Sequence, residues 1–131
     1  ARFGVNGIDV GLFCATPGVA LSRNLLPKQA MEMLLTGEFI DADQALARGL
    51  VNRVVDAADL DAEVEELLER LLAKPQEALA MGKTLFYRQL ETGMEAAYQL
   101  AGQTMACNMA HPVAQEGVQA FIEKRAPNWR P

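Results

Sequence analysis

Residues 30–55 read AMEMLLTGEFIDADQALARGLVNRVV, and this stretch decides the fold. Pro27 lies just before it and Gly37 lies within it. Proline suits a first helical turn and glycine suits the position after a last turn, so a helix is predicted between them. Ala30, Met33 and Leu34 would share one face of that helix, which is the face expected to be buried.

The second half of the stretch predicts a short helix followed by a strand. Asp41 and Gln44 have the spacing of a capping box, in which each side chain binds the backbone N–H of the other residue. Gly49 is expected to end this helix. The valine-rich run LVNRVV, residues 50–55, is typical of a strand of about five residues.

Helical patterns dominate the rest of the chain, except at its start. The first twenty residues are expected to be extended, broken by Gly4, Gly7 and Gly11, with a short helix from about residue 19. Apolar residues between positions 60 and 72 follow a helical period. Further helices are expected to begin near Pro75 and Pro112. An isolated strand is not stable by itself, so the extended parts are expected to pair with an N-terminal half of the same protein.

The composition of the chain argues against some classes of function. The chain has 131 residues, 50% of them apolar, and a net charge of −5, so a broad nucleic-acid surface is not expected. No apolar run approaches the ~18 residues of a membrane span. Two distant cysteines without metal-site spacing, and no visible secretory signal, predict reduced buried thiols in a cytoplasmic protein.

The chain contains only two cysteines and one histidine. The single histidine, His111, excludes a multi-histidine metal site and precedes a proline at a helix start, where a capping or surface role is expected. The basic tail contains Lys124, Arg125 and Arg130. Such a tail either binds a compact anion or is solvated surface.

Three stretches together resemble the C-terminal half of the crotonase superfamily, the enoyl-CoA hydratases and isomerases. They are residues 1–23, residues 30–55 and residues 116–129, the last reading EGVQAFIEKRAPNW. The second stretch is the most specific of the three. The sequence GLFCATPGVAL at residues 11–21 is most similar to that of enoyl-CoA hydratase domain-containing proteins.

The resemblance implies an α/β crotonase fold in the whole protein, with a core spiral of repeated ββα turns. This chain would then be mostly helical. Residues 1–55 would form the last part of the spiral core, and residues 56–131 would form the helical region that mediates subunit contacts and faces CoA. A homotrimer or a dimer of trimers is implied, without nucleic acid or a membrane span.

The resemblance also implies a chemistry. Relatives bind an acyl-CoA thioester and hold its carbonyl oxygen between two backbone N–H groups, which stabilises an enolate. Both donors would lie upstream of residue 1, and no metal or redox cofactor is implied. Two glutamates act as acid and base in hydratases, and Gly7 occupies the position of one of them. Isomerisation, hydrolysis and weak hydration therefore stay open beside efficient hydration, as does a non-catalytic acyl-CoA-binding or assembly role.

Three residues near Gly7 are candidates for replacing or flanking the absent carboxylate. Asp9 would point to the same side as residue 7 if the backbone is extended; alternatively it caps the glycine-rich loop. Cys14 is either a nucleophile or a thiol that lines the pocket. Phe13 and Cys14 are the candidates for the acyl pocket.

The C-terminal stretch carries the candidates for binding CoA. By resemblance, Phe121 would contact the adenine and Lys124 the phosphates, from one helix face at i,i+3 spacing. The alternative is that Phe121 belongs to the core and Lys124 is solvated.

Overall fold

The structure is a computed structural model that describes residues 1–129, so Arg130 of the basic tail lies outside the described residues. The chain divides into two compact units, Ala1–Leu60 and a second unit that begins at Asp61. The expected division lay slightly earlier, between residues 55 and 56. The assignment of these parts to a spiral core and a trimer-forming region stays a prediction.

The first unit joins its N-terminus to the turn after its second helix. Its elements are β1 (Arg2–Phe3), a 3₁₀ helix (Asn6–Val10), α1 (Ala15–Asn24), α2 (Pro27–Thr36), β2 (Ile40–Asp41) and α3 (Ala42–Ala47). The two strands are antiparallel, with Arg2 opposite Asp41 and Phe3 opposite Ile40. Helix α2 contacts both α1 and the 3₁₀ helix, so it lies at the centre of the unit.

The core of the first unit forms around the predicted face of α2. The buried side chains are Leu21, Leu25, Ala30, Met33, Leu34, Ile40 and Ala45. Helix α2 begins at Pro27 and is followed by Gly37 with a φ of 67°, as the sequence predicts. A left-handed residue at this position favours glycine, because a Cβ would crowd the next carbonyl oxygen.

The predicted capping box is confirmed at the start of α3. The backbone N–H of Gln44 donates to Asp41 Oδ1 at 2.8 Å. The backbone N–H of Asp41 donates to Gln44 Oε1 at 3.0 Å. These two bonds satisfy donors that the first helical turn leaves without partners.

The predicted strand at residues 50–55 is wrong. The backbone N–H groups of Leu50 and Val51 donate to the carbonyl oxygen of Ala45 at 2.8 and 3.4 Å, so the run begins by capping the end of α3. Strand preference in valine-rich sequences depends on a pairing partner. Among residues 1–129, no strand forms a ladder of backbone hydrogen bonds with this run, because the sheet contains only β1 and β2.

The predicted extended start is also largely wrong. Only Arg2–Phe3 is a strand, and Asn6–Val10 forms the 3₁₀ helix. Helix α1 begins at Ala15 rather than near residue 19. The glycines thus allow a tight turn instead of interrupting a strand.

The second unit is helical. Its elements are α4 (Leu60–Leu72, which begins one residue before the boundary), α5 (Gln76–Gln89), α6 (Met94–Ala110) and α7 (Pro112–Glu123). Helices α5, α6 and α7 pack against one another. The apolar stripe of α4 is confirmed, but its large side chains are all exposed, as are Phe86, Tyr98 and Met105 elsewhere in the unit. Among residues 1–129, no helix has both the length and the apolar character to cross a membrane.

Candidate functional site

Residues 4–14, here called the glycine loop, close tightly around Gly7. The backbone N–H of Leu12 donates to the carbonyl oxygen of Gly7 at 2.9 Å. A Cβ built on Gly7 would lie 2.6 Å from Cys14 Sγ and 2.9 Å from the carbonyl oxygen of Leu12. Real Cβ atoms do not approach other atoms this closely, so position 7 has no room for a side chain.

This packing extends the sequence argument about the absent carboxylate. The sequence shows that Gly7 lacks an acid, and the structure shows that the neighbouring thiol occupies the space where a side chain would start. The blocking Leu12 oxygen belongs to the backbone, which cannot rotate away as a side chain can. A glutamate at position 7 would therefore require the glycine loop to open.

Asp9 is exposed and lies against the end of α2. A Cβ on Gly37 would lie 3.0 Å from Asp9 Oδ1 and 3.1 Å from Oδ2. The argument that Asp9 points to the same side as residue 7 required extended backbone, and this premise is wrong. In a 3₁₀ helix, residues two apart differ by about 240° around the axis, so they point in different directions. Asp9 as a replacement acid stays an untested prediction without that support.

Phe13 and Cys14, the candidates for the acyl pocket, have different surroundings. Cys14 is half-buried and packs against the core cluster of the first unit. Phe13 is exposed and is not part of that cluster. The two residues thus do not share one environment within the first unit, and their role in an acyl pocket stays a prediction.

The cysteines and the histidine give no metal site in the described part of the chain. Cys14 is half-buried and Cys107 is exposed, both as free thiols, so the expectation of two buried thiols is wrong for Cys107. His111 Nδ1 accepts a hydrogen bond from the backbone N–H of Val113 at 3.3 Å, which confirms its predicted capping role. No group of three metal-ligating side chains occurs within residues 1–129.

The C-terminal end of α7 presents the two candidates for CoA binding. Phe121 is 84% exposed, so it does not belong to the core of this chain. Helix α7 ends at Glu123, and Lys124 follows with left-handed φ and ψ of 56° and 38°. The i,i+3 argument assumed one continuous helix. Lys124 instead lies just beyond its end.

Arg125, Glu116 and Glu123, together called the tail clamp, form an ion-pair network at this end. Arg125 donates to both carboxylate oxygens of Glu116 at 2.6 and 3.0 Å and to Glu123 Oε2 at 2.5 Å. The Arg125 side chain and the backbone N–H of Asn128 lower the pKa of Glu116 to about 2. Hydrogen bonds from Gln119 and Arg125 lower the pKa of Glu123. Both carboxylates raise the pKa of Arg125.

The chain after the clamp turns back along α7. The backbone N–H of Asn128 donates to Glu116 Oε1 at 2.7 Å. The Trp129 ring lies so close to Gly117 that a Cβ there would be 3.2 Å from Cη2. Glu116 and Gly117 were not predicted as functional from the sequence. The available signal was the adjacent Glu-Gly before the apolar run of α7, followed by Lys-Arg at its end.

Curated relatives match this chain over nearly its whole length. Enoyl-CoA hydratase domain-containing protein 3, mitochondrial, from Mus musculus is 45% identical over 129 residues, which are 98% of this chain and 43% of that protein. The chain spans about half the length of the curated relatives it matches, or slightly less.

Solved structures match in fold as well. A crystal structure of an enoyl-CoA hydratase from Mycobacterium smegmatis is 63% identical with a TM-score of 0.96, covering 98% of this chain and 50% of that one. The human enoyl-CoA hydratase domain-containing protein 3 is 43% identical with a TM-score of 0.93, covering 98% and 51%. These matches confirm the α/β crotonase fold that the resemblance implies.

The names of the curated relatives contradict the expected cytoplasmic location. The proteins from Mus musculus, Xenopus laevis and Homo sapiens are all named as mitochondrial. The expectation rested on reduced cysteines and on the lack of a secretory signal. Mitochondrial import is directed by amphipathic, arginine-rich transit segments, so the residues that build a folded domain do not report the location.

One further comparison covers the whole sequence. The family model described as enoyl-CoA hydratase/isomerase matches residues 1–131. It includes all three stretches on which the resemblance to the crotonase superfamily was based. The chain therefore belongs to the enoyl-CoA hydratase/isomerase family.

Proposed function

We propose that the full-length protein carrying this chain binds acyl-CoA thioesters and stabilises a thioester enolate. The thioester carbonyl oxygen would accept hydrogen bonds from two backbone N–H groups upstream of residue 1. Loss of one such donor typically lowers the rate about 100- to 1000-fold. The substrate is itself the CoA thioester, and the proposed chemistry uses no metal or redox cofactor. Membership of the enoyl-CoA hydratase/isomerase family supports this proposal.

The closed packing around Gly7 carries the proposal about the reaction. Because Cys14 Sγ and the Leu12 carbonyl oxygen lie 2.6 and 2.9 Å from the position of a Cβ, the glycine loop supplies no carboxylate from position 7. Hydration by two glutamates needs one group to activate water and another to protonate carbon. We therefore favour isomerisation, hydrolysis or slow hydration, in which the oxyanion hole works with at most one family glutamate.

CoA binding is proposed to involve Phe121 and Lys124. The exposed Phe121 ring offers an apolar face to the adenine. Lys124 offers an ammonium group, a flexible point charge that suits phosphate. Both residues are exposed at the end of α7, so a ligand can reach them.

Substitution at either residue is expected to weaken the binding of crotonyl-CoA to the full-length protein. Phe121→Ala removes the stacking surface, and stacking of a base on an aromatic ring contributes about 1–3 kcal/mol. Lys124→Met keeps the apolar stem and removes the charge. Isothermal titration calorimetry measures both affinities. Lys28→Met, at an exposed lysine in the first turn of α2, is the matched control for loss of one positive charge.

Unchanged affinity in both variants would contradict the proposed CoA contacts. If crotonyl-CoA does not bind to the wild-type protein at all, the proposed function itself fails. Calorimetry with crotonyl-pantetheine, which lacks the phosphates and the adenine, separates the two cases because it probes the thioester site alone.

The second candidate function is a non-catalytic acyl-CoA-binding protein or assembly partner. The lack of space at position 7 favours it, because the loop is built around the absence of a catalytic side chain. Enolate formation distinguishes the two candidates. A catalytic protein exchanges the α-protons of butyryl-CoA for deuterium in D₂O, as NMR would detect, whereas a binding protein holds the thioester without exchange.

We propose a homotrimer or a dimer of trimers as the assembly, and membership of the enoyl-CoA hydratase/isomerase family supports this proposal. Sedimentation equilibrium of the full-length protein is expected to give the mass of three or six copies. The mass of a single copy at micromolar concentration would contradict this proposal.

A further inference from the structure

Lys124 has a backbone conformation that its residue type disfavours. No other non-glycine residue within residues 1–129 has a positive φ. This conformation crowds Cβ against the following carbonyl oxygen, so glycine usually occupies the position after a helix. A lysine therefore occupies a position at which the backbone conformation favours glycine. Such an outlier points to a role for the side chain.

The backbone around Lys124 is fixed by hydrogen bonds to the last turn of α7. The N–H of Lys124 donates to the carbonyl oxygen of Phe121 at 3.2 Å, and the N–H of Arg125 donates to that of Ala120 at 3.0 Å. These two bonds form a Schellman motif. These bonds end the helix through the backbone alone. They do not determine which partner the Lys124 side chain binds.

The tail clamp supplies a second restraint immediately after Lys124. Glu116 and Glu123 precede Lys124 in the chain, and both bind the guanidinium of Arg125, the residue that follows it. Glu116 is bound through two parallel hydrogen bonds. Such bidentate pairs fix orientation as well as distance. Release of the Arg125 side chain would therefore remove one restraint on the C-terminal side of Lys124, while the bonds from the backbone N–H groups of Arg125 and Asn128 would remain.

The adjacent bases Lys124 and Arg125 differ in the charged groups that they contact. Arg125 faces both Glu116 and Glu123, so the tail clamp as a whole carries one excess negative charge. Lys124 forms no ion pair with any residue in the described part of the chain. Lys124 is thus the base available to an anionic ligand, whereas Arg125 is already neutralised.

We propose that the tail clamp is a positioning device, in which Arg125 bound by Glu116 and Glu123 holds Lys124 left-handed so that its ammonium group meets the CoA phosphates. The inference rests on the proposed function, because it takes Lys124 as a phosphate contact. The three residues of the clamp act through Lys124 and do not touch the ligand.

The test compares two ligands on the full-length protein by calorimetry. Crotonyl-CoA carries the phosphates, and crotonyl-pantetheine carries the same thioester without phosphates or adenine. Arg125→Ala is expected to weaken crotonyl-CoA binding about 5-fold, the upper range for one exposed ion pair, and to leave crotonyl-pantetheine binding unchanged. Lys124→Met is expected to have the same effect. The double variant should be no weaker than Lys124→Met alone.

Two results would overturn the inference while the proposed function stands. If Arg125→Ala weakens both ligands equally, the clamp has a general structural role. If it weakens crotonyl-CoA binding fully in the Lys124→Met background too, Arg125 contacts the phosphates directly. Failure of the wild-type protein to bind either ligand would instead remove the proposed function.

A conservative substitution protects the test against misfolding of Arg125→Ala. Arg125→Lys keeps the charge but cannot make the two-pronged contact with Glu116. It is expected to show an intermediate loss for crotonyl-CoA and none for crotonyl-pantetheine. Full wild-type affinity in Arg125→Lys and Arg125→Ala alike would overturn the inference.

Discussion

Replacement of Gly7 by alanine is expected to lower the free energy of unfolding of the full-length protein by about 1–3 kcal/mol, the usual effect of overpacking. The added methyl group would meet Cys14 Sγ at 2.6 Å and the Leu12 carbonyl oxygen at 2.9 Å. Urea denaturation followed by circular dichroism gives the difference. Gly102→Ala in α6 is the matched control, because a Cβ there meets nothing within 4 Å.

The control is expected to change stability in the opposite direction. Alanine in a helix interior is favoured over glycine by about 1 kcal/mol, so Gly102→Ala should be neutral or stabilising. The loss at position 7 should shrink when Cys14→Ala is added, because that removes the nearest clashing atom. It should not vanish, because the Leu12 backbone remains. Equal stability of Gly7→Ala and wild type would contradict the packing argument.

The same packing predicts the effect of placing a glutamate at position 7. Gly7→Glu is expected to destabilise the protein at least as much as Gly7→Ala and to leave the rate of crotonyl-CoA hydration unraised. The carboxylate would enter only with an opened glycine loop, and a displacement of 1 Å can cost about 100-fold in rate. The absorbance of the enoyl thioester follows hydration directly. A large rate increase in Gly7→Glu would show that the loop accepts an acid.

Truncation of Leu34 to alanine is expected to lower the free energy of unfolding by about 2–5 kcal/mol. Leu34 is 4% exposed, and it lies in the core cluster that joins α1, α2 and β2. Its truncation leaves a cavity under α1, where a Cβ on Gly18 would touch its Cδ1 at 3.4 Å. The loss is comparable to a large part of the stability of an ordinary domain.

Leu35→Ala is the matched comparison for this change. It is the same chemical substitution one residue further along α2, where the side chain is 56% exposed. We expect a loss well below that of Leu34→Ala by the same urea measurement. A change within about 0.5 kcal/mol for Leu34→Ala, the range of ordinary surface substitutions, would contradict the assigned core.

The parts of the fold that the sequence predicted correctly are those with local determinants. Pro27 and Gly37 set the ends of α2 because the backbone preferences of proline and glycine do not depend on distant contacts. Asp41 and Gln44 cap α3 because the two side chains reach each other's backbone within one turn. The capping role of His111 is local in the same way.

The errors arose where distant or paired contacts decide the structure. The valine-rich run at residues 50–55 has strand preference, but its first N–H groups bind Ala45 instead. The packing at Gly7 involves Cys14, seven positions away. The tail clamp joins Glu116 to Arg125 across the end of a helix. Neither hydrophobic period nor capping rules detect contacts of this kind.

Gly117 and Trp129 also give the chain an internal optical reporter. Trp129 is the single tryptophan of the 131 residues, and its ring lies over Gly117 on α7. The tryptophan fluorescence of this chain therefore originates at the point where the tail docks, so docking and release can be followed without an attached dye.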